Sequence, residues 1–144
     1  MSKLFYPLLV FICFSCYSHH SNSISHHIKE VCQDNDECIF ELSDVYDFPW
    51  DTMYIFSSYT FPQDVSSELG VDYQGDIVPD DLKLVIFTLD GEIISESYDE
   101  FRKVQFVKGP GPGVMRIGKG QKLGAEVDVN NGKKLYLIFL LYPP

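Results

Sequence analysis

Positive charge is scarce in this sequence: 11 Lys and Arg stand against 21 Asp and Glu, for a formal net charge of -10. Nucleic acid binding needs a basic surface that releases counterions from phosphate, so this composition excludes nucleic acid as an expected partner. An acidic surface suits either simple solubility or capture of a basic protein. The charge alone leaves both interpretations open.

The N-terminal half has no apolar run long enough to cross a membrane. The run over residues 4–14 follows Lys3, and it falls well short of the roughly 20 residues that span a bilayer. A short basic start followed by an apolar run of this length is typical of a secretory signal peptide. We therefore predict a signal peptide over residues 1–15 and an exported protein.

Cys16 follows this run directly, with the small Ser15 before it. The arrangement resembles a bacterial lipobox, although Cys13 and Phe14 stand where an aliphatic and a small residue are usual. The resemblance implies that Cys16 becomes the first residue of the mature chain and carries a palmitate-type fatty acyl anchor in the cell envelope. In a Gram-negative host, Tyr17 in place of Asp implies the outer membrane. Ordinary signal cleavage within residues 18–23 and an uncleaved anchor are the alternatives.

Cleavage before Cys16 leaves two further cysteines, Cys32 and Cys38. Because an exported chain meets an oxidising compartment, we predict a disulfide between them, with two reduced thiols as the alternative. The stretch after Cys16 is rich in Ser, His and Asn, a composition that predicts a flexible tether over residues 16–30. A single globular domain over residues 31–144 is then expected.

Histidine is absent after residue 27, since all four stand at positions 19, 20, 26 and 27. A tether gives them no fixed geometry for a metal ion, so we expect solvated side chains. A domain without His lacks the usual general base and cannot form a Ser-His-Asp or Cys-His site. This absence favours a protein that is not an enzyme and has no catalytic residues.

Three other patterns in the sequence partly match motifs for phosphate, metal or acid–base chemistry. Residues 113–119 have P-loop spacing, but Gly120 stands where Ser or Thr should hold Mg²⁺. Residues 34–37 resemble the start of a Ca²⁺-binding loop. However, Ile39 and Val45 stand at its sixth and twelfth positions, where such a loop has Gly and Glu. We predict no metal and no cofactor. A carboxylate pair of the glycosidase kind stays open, with candidates at Asp47, Asp51, Asp76, Asp80 and Asp81.

Short apolar runs separated by turn signals predict antiparallel sheet beyond residue 38. Strands are expected at residues 53–56, 82–89, 92–98, 104–107, 114–117, 125–129 and 135–142, with Asp90 and Gly91 as a hairpin turn. One helix is predicted at Pro62–Leu69, with a capping box at residues 60–63 and Gly70 as its stop. Trp50 is expected in the core. The fold class is α+β: a mainly antiparallel sheet of five to seven strands with one short helix packed across it.

The segment over residues 47–60 reads Asp-Phe-Pro-Trp-Asp-Thr-Met-Tyr-Ile-Phe-Ser-Ser-Tyr-Thr and precedes a helix that starts at Pro62 and ends at Leu69-Gly70. It resembles a segment of small uncharacterised bacterial lipoproteins and covers under a fifth of the chain. The resemblance implies an exported, lipid-anchored protein and no particular activity.

The predicted function is a non-enzymatic, membrane-anchored exported binding domain. The specific hypothesis is an immunity protein or adaptor that captures a basic partner. A small exported hydrolase that uses carboxylates is the alternative from another class. An envelope scaffold and a carrier of a small apolar ligand also stay open.

Overall fold

A computed structural model describes residues 20–33, 37–107 and 113–141. These residues form an α+β fold dominated by sheet, with two helices and eight strands in two sheets. The elements are, in chain order, α1 (His20–Cys32), β1 (Glu37–Glu41), a 3-10 turn (Leu42–Asp44), β2 (Thr52–Phe56), α2 (Pro62–Leu69), β3 (Lys83–Leu89), β4 (Glu92–Asp99), β5 (Val104–Phe106), β6 (Val114–Gly118), β7 (Lys122–Asn130) and β8 (Lys133–Leu140). The predicted fold class is confirmed, although the strands number eight rather than five to seven and a second helix is present.

The strands divide into two four-stranded sheets. The first sheet has the order β1-β7-β8-β5, and the second has the order β4-β3-β2-β6. All neighbours are antiparallel except β5 and β8, which run parallel. The strands β5 and β6 follow each other in the sequence but belong to different sheets.

Two hairpins follow from turn residues in the left-handed region. Asp90 and Gly91 have φ values of 53° and 82°, and Asn131 and Gly132 have 51° and 75°. Positive φ at both central residues defines the tight turn whose twist matches that of the flanking strands. The predicted turn between β3 and β4 is confirmed.

The main core lies between the two sheets. From the second sheet come Met53, Ile55, Val85, Phe87 and Ile117, and from the first come Leu123, Ala125 and Ile138. Trp50 belongs to this core and is only 1% exposed, which confirms its predicted place. Full burial of each large apolar side chain contributes about 1.5–3 kcal/mol.

A smaller core lies on the opposite face of the second sheet, beneath α2. Phe56, Leu84 and Ile86 pack there with Val65 of α2 and with Val78. The bounds of α2 match the prediction, and Gly70 ends it with φ 71°. The predicted capping box is wrong: Phe61 is the N-cap without a side-chain hydrogen bond, because the Thr60 hydroxyl donates to the carbonyl of Ser57 instead (2.7 Å).

The predicted flexible tether is wrong over residues 20–30, which belong to α1. Ile24 and Ile28 are fully buried in the main core, followed by Cys32. These side chains repeat every four residues, so they form one apolar stripe along the helix. The folded domain therefore begins by His20 rather than at residue 31, and residues 16–19 lie outside the described part. Neither helix in that part has the length and apolar character required to cross a membrane.

Candidate binding surface

Three cysteines were predicted as site residues: Cys16, Cys32 and Cys38. Cys16, the expected lipid anchor, lies outside the described residues. Cys32 and Cys38 lie at disulfide-bond distance, with Cα atoms 5.2 Å apart. This pair connects the C-terminus of α1 to β1.

The N-terminus of α1 is held by Asp99 of β4. One carboxylate oxygen of Asp99 accepts a hydrogen bond from the backbone N–H of Ser21 (3.0 Å), and the other accepts one from Phe101 (2.6 Å). The first N–H groups of a helix have no partner within it, and its N-terminus favours negative charge. A buried carboxylate from another element therefore caps α1.

His20 forms a buried polar cluster beside this cap. Its Nδ1 lies 3.0 Å from the Tyr46 hydroxyl, and its Nε2 lies 2.7 Å from the Ser97 hydroxyl. Burial lowers the pKa of His20, with the Asp99 charge opposing that shift. Burial, reinforced by Asp99, raises the pKa of Tyr46 well above its ordinary value. The expectation that the domain holds no histidine is therefore wrong, because His20 belongs to the core.

The contact between Ser97 and His20 has the distance of a nucleophile and its base. Both side chains are nevertheless buried, at 9% and 7% exposure, and neither is among the described residues that line the cavities of about 420, 330 and 520 Å³. We therefore assign this cluster to holding α1 in place.

The carboxylates considered for acid–base chemistry have separate surroundings. Asp51 accepts hydrogen bonds from the Thr88 hydroxyl (3.0 Å) and the Asp90 N–H (2.7 Å). The bond from Asp90 lowers the pKa of Asp51, so this residue secures the β3–β4 turn. Asp47 is exposed in the segment before β2. Within the described ranges, no three His, Cys, Asp or Glu side chains converge to hold a metal ion.

The connection from β2 to β3, residues 57–82, concentrates negative charge. It has no Lys or Arg, and its six carboxylates are all exposed: Asp64, Glu68, Asp72, Asp76, Asp80 and Asp81. We call these six side chains, together with the exposed Tyr59, Phe61 and Ile77, the acidic surface. It includes three of the Asp residues that the sequence suggested for catalysis.

Large apolar side chains are exposed within the acidic surface. Tyr59, Phe61 and Ile77 are 61%, 54% and 47% exposed. The N–H of Tyr59 donates to the Val78 carbonyl (2.8 Å), and the N–H of Val78 donates to the Thr60 carbonyl (3.1 Å). These two bonds hold the segments before and after α2 side by side. Phe61 follows Thr60 and Ile77 precedes Val78, so both residues lie next to this pair of hydrogen bonds.

Tyr59 has an unusual backbone conformation, with φ 65°. A bulky residue in the left-handed region is strained, and such strain persists only where the surroundings enforce it. A hydrogen bond with Asp80 raises the pKa of Tyr59. The aromatic ring is therefore exposed and lies near the carboxylate of Asp80.

No protein-family model, curated protein or solved structure gives a significant match to this chain. The assignment of function therefore depends on the geometry and charge described above.

Proposed function

We propose that this protein is a non-enzymatic, exported binding domain that captures a basic protein partner on its acidic surface and is lipid-anchored through Cys16. The observation that carries the proposal is the connection over residues 57–82, which combines six exposed carboxylates, no cation and exposed aromatic side chains. An immunity protein or an adaptor would have these properties.

The two kinds of side chain on this surface have complementary tasks in binding. Clustered carboxylates speed the encounter with a basic protein and select for it through complementary potential. Exposed aromatic side chains contribute much of the affinity once they are desolvated at an interface. Tyr59 and Phe61 are therefore the expected centre of the contact, with the carboxylates around them.

The scaffold beneath this surface is well fixed, which reduces the entropy lost on binding. Val65 of α2 is fully buried against the second sheet. The Tyr73 hydroxyl donates to Glu96 of β4 (2.6 Å), and the Tyr73 N–H donates to the Ser66 hydroxyl (2.9 Å). Desolvation by burial raises the pKa of Tyr73, so it remains a donor across the physiological pH range.

Co-purification from envelope extracts of the source organism tests the partner. The test variant neutralises Asp76, Asp80 and Asp81 to Asn, and a control removes the same charge from the first sheet through Glu37→Gln, Glu126→Gln and Asp128→Asn. We expect wild type and control to retain a basic protein at low salt and to release it at high salt. The test variant should not retain it. Recovery of the same proteins with all three forms would refute the assignment of the surface.

Anchoring is tested separately by metabolic labelling with a fatty acid. We expect wild type to take up the label and to fractionate with membranes, whereas Cys16→Ser loses both properties. Membrane fractionation of Cys16→Ser, together with an unlabelled wild type, would favour ordinary cleavage or an uncleaved anchor.

A further inference from the structure

A second charged feature lies across the second sheet from α2. It is a depression of about 520 Å³ formed by α1, the residue before β5, and β8. Its cations are Lys29, Lys103 and Lys134, joined by His26 and by Asn22. We call it the lysine depression. It is on the side of the main core, whereas the acidic surface is on the side of the smaller core.

The concentration of lysine here is unusual for so acidic a chain. Three of its 11 cations come together from distant parts of the sequence, and no carboxylate is among the described residues that line the depression. In the described part of the chain, none of these lysines has a carboxylate within 4.0 Å. The ion pair on α1 joins His26 to Glu30 (3.4 Å). The helix dipole accounts for Lys29 near the C-terminus of α1, but not for Lys103 or Lys134.

The backbone around these lysines is fixed. Tyr136 lines the depression and is largely buried. Its N–H donates to the carbonyl of Lys103 (3.0 Å), next to the parallel pairing of β5 with β8. The other wall, α1, is held by Asp99 at one end and by Cys32 and Cys38 at the other. A concave site lined by one sign of charge focuses its potential on a ligand of opposite sign.

We propose that the lysine depression binds a phosphate group, and that an anionic lipid headgroup supplies it. Lysine ammonium groups bind phosphate as point charges, and a multivalent anion offsets their mutual repulsion. The choice of lipid rests on the proposed anchor: α1 begins four positions after Cys16, a span of at most about 14 Å. The depression would then face the membrane, and the acidic surface would face away from it.

The test compares three forms, each carrying Cys16→Ser so that no acyl chain contributes. They are the parent, K29Q/K134Q, and a control, K119Q/K122Q, which removes the same charge elsewhere. Two probes are used: inorganic phosphate, followed by amide NMR shifts along α1, and vesicles of phosphatidylcholine with or without phosphatidylglycerol, followed by sedimentation.

We expect phosphate to shift α1 signals in the parent and control but not in K29Q/K134Q. Each lysine near an anionic surface contributes about fivefold in affinity, so K29Q/K134Q should bind anionic vesicles about 25-fold more weakly than the parent. The control should stay within about threefold. Phosphate shifts without any preference for anionic vesicles would overturn the lipid source and leave soluble phosphate as the ligand.

Absence of phosphate shifts in the parent, or equal vesicle binding by the two double variants, would overturn the site itself. Retention of the basic protein partner distinguishes this failure from failure of the proposed function. K29Q/K134Q leaves the acidic surface intact and should still co-purify with that partner.

Discussion

At the scale of single residues, the core is notable for polar groups that act together to position α1. His20 makes hydrogen-bond contacts with Tyr46 and with Ser97, while Asp99 accepts a hydrogen bond from the backbone of α1. A buried polar group is costly unless it has a partner. These contacts form only when α1 lies at this position along β4. They therefore fix where α1 lies along the strand as well as its packing against the sheet.

His20 predicts a pH dependence of stability with a definite sign. Its pKa is lowered from 6.5 by burial, so below pH 6.5 the unfolded chain binds more protons at this site than the folded chain does. The contribution of His20 is therefore complete above pH 6.5 and is lost as the pH falls towards the lowered folded value. Chemical denaturation across pH measures it.

The matched variants for this prediction are His20→Gln and Asn22→Gln. The first should show a shallower fall in unfolding free energy below pH 6.5 than wild type, because the titrating group is gone. The second changes an exposed side chain of the same helix that does not titrate, and it should retain the wild-type slope. An unchanged slope in His20→Gln would show that this histidine does not titrate with folding.

At the scale of elements, the packing of α1 against the core is a property that a flexible tether would not have. Ile28 is fully buried, whereas Val31, three residues later on the same helix, is 46% exposed. We expect Ile28→Ala to lower the unfolding free energy by about 2–5 kcal/mol and Val31→Ala to change it by no more than about 0.5 kcal/mol. Equal, small effects in urea denaturation would mean that α1 is not packed.

The connection between α1 and β1 predicts a second loss of stability. Replacing Cys32 and Cys38 with Ser should lower the unfolding free energy by about 2 kcal/mol, since the disulfide closes only a short loop. Wild type treated with reductant should show the same loss, and the Ser variant should not respond to reductant. A wild type that is indifferent to reductant would indicate two free thiols.

Local patterns were sufficient to predict some elements and not others. The helix α2 and the β3–β4 hairpin follow from neighbouring residues: Pro62 and Gly70 in one case, Asp90 and Gly91 in the other. The helix α1 was missed because Ser and His around Ile24 and Ile28 resemble a linker in composition, although the four-residue spacing was present. The parallel pairing of β5 with β8 could not be predicted, since it joins residues distant in sequence and depends on the whole fold.

At the scale of the whole molecule, charge is divided between two sides. The acidic surface comes from one continuous stretch, and the lack of Lys and Arg over residues 57–82 can be read from the sequence alone. The lysine depression cannot be predicted in this way, because Lys29, Lys103 and Lys134 come together only when α1 packs against the first sheet. A long run without cations is thus a signal for the acidic surface, whereas the lysine depression depends on the fold.

The rate at which the recovered partner associates, measured against ionic strength, tests the central claim most directly. Screening shortens the range of charge–charge attraction to about 8 Å at physiological ionic strength. Wild type and the first-sheet control should therefore associate rapidly at low salt and slow steeply as salt is added. The variant with Asp76, Asp80 and Asp81 changed to Asn should start slower and respond less, approaching the others at high salt. The same rate and the same salt dependence in all three forms would contradict capture by the acidic surface.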